Sequence, residues 1–373
     1  MTKKFTVTPW KVEGEIDYEK LIKEFGTEHI NEKLLNRIEK HTKELHYMLK
    51  RKIFFSHRDM NWILDEYEKG NKFFLYTGRG PSGHTHVGHL VPWIFTKWLQ
   101  DKFNVELYFQ MTDDEKFMYY PKISIEEANK FAYENALDVI ALGFDHKKTF
   151  IFSDIDYAKT LYRQAIRVAK KLNFSTVKSV FGFTNETNVG MIFFTSMQSV
   201  PAFLPSVMKG KNIPCLIPHA IDQDPHFRIT RDIAPKLGYY KPAAIHCRFL
   251  PPLTGPHGKM SASMAETAVY TTDTPEQIKH KIMKYAFSGG QTSIKEHREK
   301  GGNPDVDVSY QWLTFFEEDD KTLENIYYAY KNGDMLTGEL KHILIEKLTS
   351  FLKEHQRKKE QARKVIDKYI LKD

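Results

Sequence analysis

Cysteine is scarce: the 373-residue chain holds only Cys215 and Cys247. Two thiols so far apart make neither a disulfide framework nor a paired-cysteine zinc motif. The simple reading is a reducing compartment, with both thiols as small core residues. Long apolar runs are also missing. The opening MTKKFTVTPW has no stretch fit for a signal peptide, and the central run LVPWIFTKWL is broken by Pro92 and Lys97. Spanning a bilayer takes about 20 residues, so no membrane partner is expected and a cytoplasmic location is. There is no low-complexity tract and no repeat of about 20 to 50 residues, which argues against long disorder and against a solenoid.

What is present is a core-forming composition, 41% hydrophobic and 13% aromatic. At this length it suggests two or three domains. A formal net charge of +7 favours a polyanionic partner, of which nucleic acid is the commonest.

The chain reads in three parts. In 1–72, KFTVTPWKVEG alternates like a strand or hairpin, and three later stretches place apolar residues at helical spacing, with Gly26 and Gly70 suited to helix ends. Trp10 and the Phe54–Phe55 pair read as core. From 73 to 272, KFFLYTG, HVGHLVPWIFTKWLQDKF and VELYFQM predict strand, helix, strand, one βαβ unit of a parallel sheet. KTFIFS (148–153), IPCLIPHAID (213–222) and AAIHCRFLPPL (243–253) predict further strands. The fold class is therefore α/β, a Rossmann-like parallel sheet with an insertion at about 113–205. Residues 273–373 predict an all-helical domain, opened by Thr274 as an N-cap before Pro275. Its end, 338–370, reads as one helix of about 50 Å at 1.5 Å per residue, which could pack back on the sheet domain. The stretch KEHQRKKEQARK within it reads as a solvated face.

LYTGRGPSGHTHVGHL (75–90) poses the chemical question. His84, His86 and His89 have the outline of a metallo-β-lactamase motif, but that motif needs an aspartate where Gly88 stands, so no metal ligation is assigned. The phosphate reading fits better. A strand end, a glycine-rich turn and a helix N-terminus collect anions through backbone N–H groups and the helix dipole. His86 and His89 then share a helix face and can donate to phosphate, while Gly88 leaves room for a nucleoside. A second loop, GPHGKMSAS (255–263), supplies Lys259, Met260, Ser261 and Ser263 just after the last predicted strand. A mobile lysine there suits charge on a departing pyrophosphate.

HVGH (86–89) and KMSAS (259–263) resemble the two signatures of class I aminoacyl-tRNA synthetases. QMTDDEK (110–116), FGFTN (181–185), AIDQDPHFRITRD (220–232), HKIMKYAFSGG (280–290), DVDVSYQWLTFFEEDD (305–320) and FFSHRDM (54–60) narrow the resemblance, over essentially the whole chain, to the eukaryotic and archaeal tryptophanyl-tRNA synthetases. The resemblance implies a ligase that forms tryptophanyl-adenylate from L-tryptophan and ATP and transfers it to tRNA(Trp). Mg²⁺ would arrive with ATP, held by phosphate oxygens and water. It implies a homodimer formed through the insertion, and a helical domain that reads the anticodon. Its site residues carry over as His86, His89, Lys259, Ser261 and Ser263 for catalysis. Tyr76 and Gln110 would meet the indole nitrogen. Glu115, Gln198 and Gln223 would hold the amino-acid end, with Lys116 near the carboxylate or phosphate. Thr77, Gly78, Arg79, Gly88, Asp222 and Met260 would line the ATP side. Asp113 and Asp114 read as structural. The chain departs from many relatives in TPW (8–10), which lacks an acidic residue before Pro9. His84 falls in a turn where relatives vary. The alternatives are a tyrosyl-tRNA synthetase of the same class, a small nucleotidyltransferase and a non-enzymatic RNA-binding module.

Overall fold

The structure is a computed structural model and describes residues 5–10, 12–14, 16–260 and 265–373. Ser261 and Ser263 lie outside the described residues. Nine strands are found among them: β1 (Thr6–Val7), β2 (Val12–Glu13), β3 (Glu28–His29), β4 (Phe54–Arg58), β5 (Phe74–Arg79), β6 (Glu106–Met111), β7 (Thr149–Ser153), β8 (Cys215–Ala220) and β9 (Ala243–Cys247). β1 and β2 form an antiparallel hairpin. The other seven form one sheet in the order β3-β4-β9-β8-β5-β6-β7.

Five neighbours, β9 to β7, run parallel. Their residues are apolar on both faces. Leu75, Leu107, Phe109 and Ile245 enter one core, and Phe74, Tyr76, Tyr108 and Ile217 the other. Such burial needs helices on both sides. β3 and β4, from the segment expected to be an appended hairpin and helices, extend this parallel sheet: they add to the β9 edge antiparallel. FFSHR was read as core packing because two adjacent phenylalanines hide the period of two; the strand is buried on both faces.

The sheet has a switch point. From β5 the chain crosses to β6 and then β7 in one direction, whereas β8 leads to β9 in the other. Open α/β sheets carry their ligand sites at the carboxyl ends of the strands flanking such a point. Here those ends belong to β5 and β8.

The helix after the glycine-rich turn spans Val87–Phe103. Pro275–Tyr285 is a helix capped by Thr274, whose hydroxyl accepts from the Gln277 N–H, as the sequence predicts. The long C-terminal helix spans Thr337–Arg363 and ends seven residues before Ile370. It is not a solvated rod. The stretch KEHQRKKEQARK does present a solvated face, but its other face carries His355 and Lys359, which are buried and hold Asp138 of the helix Ile125–Ala141. Residues 369–371 then run along the free edge of β7: Ile151 donates to the Tyr369 carbonyl and Leu371 donates to that of Ile151. Among the described residues, no helix is long and apolar enough to cross a membrane.

Candidate active site

A cavity of about 210 Å³ opens at the switch point. β5 contributes Thr77, Gly78 and Arg79. β8 and the 3₁₀ turn after it contribute His219, Asp222 and Gln223. The strand ends are drawn close here, since a side chain at Gly78 would meet the Gln110 carbonyl at 2.9 Å. The turn after β5 brings in His86, Gly88 and His89, and the loop after β9 brings in Lys259 and Met260. The two loops are stitched together. Thr271 donates to the Thr85 carbonyl, and Val87 to that of Val269. Residues nearly 190 apart in sequence thus form one rim.

His86 and His89 stack, ring centroids 3.5 Å apart. The His86 backbone N–H donates to His89 Nδ1 at 3.2 Å, which leaves the proton of a neutral His89 on Nε2, ready to donate. Burial, reinforced by the Arg79 charge, pushes both pKa values well below the usual histidine range. Neutral imidazoles and an unpaired guanidinium nitrogen, Arg79 Nη2, therefore face the cavity. His84 points elsewhere. It is exposed and sits edge-on to Phe131, so the three histidines do not converge on a metal. A different trio, His219, Asp224 and His246, has ligand spacing. Its carboxylate is already held by Arg58, with Nε and Nη2 each 2.8 Å from one oxygen, and so braces β4 against the helix Asp224–Ile233.

Lys259 forms an ion pair with Asp222 Oδ2, while Oδ1 of Asp222 is buried without a partner. Glu115 and Lys116, from the helix Asp113–Tyr119, also line the cavity, close to Gly80. Burial raises the Glu115 pKa, but Lys116 Nζ at 2.8 Å and hydrogen bonds from Trp10 and Thr112 outweigh it and hold the carboxyl below its ordinary value. Trp10, read from sequence as core, packs on Phe181 and Phe183 and also donates its indole N–H to Glu115 at 2.9 Å. Asp113 accepts from Ser153 and Asn129 and is structural in these contacts. Asp114 is pushed up to about 7 by burial.

Tyr76 and Gln110 do not line the cavity. Both are fully buried beneath it. The Tyr76 hydroxyl donates to Gln110 Oε1 at 2.5 Å and accepts from Gln198 Nε2 at 2.8 Å. Gln110 Nε2 donates to both oxygens of Asp154, which fixes the amide with its oxygen toward Tyr76. Gln198 itself reaches the cavity, as do Phe194 and Phe227. Sequence reasoning missed His219 and His226. Each lines the cavity with a buried nitrogen lacking a partner, and burial lowers His226 to about 4 and His219 to about 3. The available signal was their place in HAIDQDPH, flanking the aspartate and glutamine already singled out.

Residues 68–353 match the family described as tRNA synthetases class I (W and Y). The tryptophan--tRNA ligase of Saccharolobus solfataricus is 53% identical over 367 residues, covering 98% of this chain and 95% of that protein. The chain belongs to the tryptophanyl-tRNA synthetase family. A second member, from Pyrococcus furiosus, is 54% identical over 371 residues, covering 99% of this chain and 94% of that one. Among solved structures, the Plasmodium falciparum tryptophanyl-tRNA synthetase superposes with a TM-score of 0.87 at 47% identity, covering 92% of this chain and 94% of that one. The described lining of the cavity holds no serine, and its thiol, Cys247, is kept protonated by burial.

Proposed function

We propose that the protein ligates L-tryptophan to tRNA(Trp) in two steps. The amino-acid carboxylate attacks the α-phosphorus of ATP, an acyl C–O–P linkage forms, and the bond to pyrophosphate breaks. A hydroxyl of the terminal ribose of tRNA then attacks the acyl carbon and AMP leaves. Neither step requires a protein nucleophile, so catalysis is positioning and charge stabilisation. Mg²⁺ travels with ATP on phosphate oxygens and water.

The observation that carries the reading is the convergence of Arg79, His86, His89 and Lys259 on a single cavity that Glu115, Gln198 and Gln223 also line. The first group donates to phosphate. The second accepts from an ammonium. The linked pair beneath the floor, Tyr76 and Gln110, supplies the acceptor that an indole N–H needs, with Gln198 turning from Tyr76 toward the ammonium as substrate enters. A floor built around such acceptors discriminates against side chains that lack the donor. Ser261 and Ser263 share the KMSAS motif with Lys259 and act with it on the phosphates. Thr77, Gly78, Gly88, Asp222 and Met260 border the nucleotide. The helical part, 273–373, reads the anticodon, and a second copy of the chain covers the apolar face of the insertion. The site of action is the cytoplasm.

ATP–pyrophosphate exchange without tRNA, run with each of the twenty amino acids, tests the reading. Exchange with tryptophan alone is expected. Exchange with tyrosine would overturn the role of Tyr76 and Gln110 while keeping the mechanism.

A further inference from the structure

The end of β5 and the turn after it share a support that lies far away in sequence. Arg79 lines the cavity with Nη2 buried and unpaired. Burial lowers its pKa to about 10, so it still carries its charge at neutral pH. Its Nε donates to Asn135 Oδ1 at 3.2 Å. Asn135 Nδ2 donates to the Gly83 carbonyl at 3.0 Å. A guanidinium can only donate and a carbonyl can only accept, so the amide fits in one orientation. Asn135 is 1% exposed and does not line the cavity. The helix that presents it is itself anchored. One turn further on, Asp138 accepts from His355 Nε2 at 3.0 Å and Lys359 Nζ at 2.9 Å.

We infer that Asn135 is a positioning residue for adenylate formation: anchored on the Gly83 carbonyl, it aims Arg79 at the nucleotide without touching substrate. The inference rests on the reading of Arg79 as an ATP ligand. A neutral amide suits the task. It orients the guanidinium through Nε and leaves the full charge and the Nη2 donor for a phosphate oxygen. A carboxylate at this place would neutralise the charge and set an oxygen against the Gly83 carbonyl.

The test is ATP–pyrophosphate exchange at varied ATP and at varied tryptophan, with thermal unfolding alongside, for Asn135→Ala, Arg79→Ala and the double variant. Asn135→Ala is expected to raise the KM for ATP, or lower kcat, by about 10- to 100-fold, with the KM for tryptophan unchanged. The double variant is expected to be no worse than Arg79→Ala, because Asn135 acts through Arg79. Additive losses, or equal changes in both KM values, would overturn the inference alone. An Arg79→Ala enzyme with normal ATP kinetics would overturn the underlying reading, and the inference with it. Asn135→Asp preserves shape and serves if the alanine variant fails to fold. The same ATP-selective loss is expected, and a normal KM for ATP refutes the role.

Discussion

Lys259 and Asp222 hold one another at the wall of the cavity, yet Asp222 keeps one buried oxygen without a partner. A lysine parked on a carboxylate can be handed to a stronger anion, and pyrophosphate is one. Lys259→Ala should slow adenylate formation by about 10²- to 10³-fold, while tryptophan binding, followed by equilibrium dialysis, stays unchanged. Gln110→Ala should act on the other substrate. It removes the acceptor facing Tyr76 and strands Asp154, so tryptophan KM should rise at least tenfold (about 1.4 kcal/mol) with ATP KM unaltered. An unchanged tryptophan KM would remove Gln110 from the pocket. That His86, His89, Lys259 and Met260 belong together was legible in the sequence because they come in two contiguous runs, HVGH and KMSAS. Asn135 was not. Its partners are 52 and 56 positions away and nothing local marks it. His219 and His226 were hidden for a related reason: apart from the nearby Phe227, the rings packed on them come from distant positions, His246 for His219 and Trp10, Phe181 and Phe194 for His226.

The helix Thr337–Arg363 shows where pattern reading misleads at the scale of an element. Six basic residues in twelve look solvated, but two turns of that stretch meet the buried carboxylate of Asp138. Asp138→Asn leaves Lys359 without a counter-charge in a dry interface and should lower stability by about 3–5 kcal/mol, seen as an earlier urea midpoint at unchanged m-value. A second element carries a pH prediction. His46 caps the short helix Tyr47–Lys50 by accepting from the Met48 N–H, and it packs on Tyr47, Phe95 and Trp98. Burial and then the Arg51 charge push its pKa down to about 4, against a slight opposing pull from Glu44. The folded state therefore resists protonation that the unfolded chain accepts from about pH 6.5 downward. Its contribution is complete above pH 6.5 and is lost toward pH 4, at no more than about 1.4 kcal/mol per pH unit. His46→Asn keeps a capping oxygen without the titration, so denaturation midpoints of the variant should fall less steeply over that window than those of the parent. Parallel slopes would refute the assignment.

At the scale of the whole molecule, strand order decides where chemistry can happen, and strand order is what the sequence conceals. The alternation of strand and helix predicted a Rossmann-like sheet, and the sheet is there; the two antiparallel strands from residues 28–58 were invisible because β3 is held by β4, and β4 by a partner beyond position 240. The insertion leaves Tyr162, Ile166 and Val189 exposed, at 56, 45 and 80%. If a second copy covers them, light scattering should give twice the 43.7 kDa chain mass, and Ile166→Glu should give the single mass. At the β7 edge of the sheet, within the bounds of the same insertion, Ile151 waits for a partner made 219 positions later, Ile370. On a ribosome, β7 would leave the exit tunnel with one open edge long before residues 369–371 could close it. Throughout that interval the nascent chain carries a row of unpaired backbone groups of the kind that recruits foreign strands. The order of synthesis thus opens a window in which a holding chaperone, or slow elongation through the last helix, would govern how much enzyme reaches the folded state.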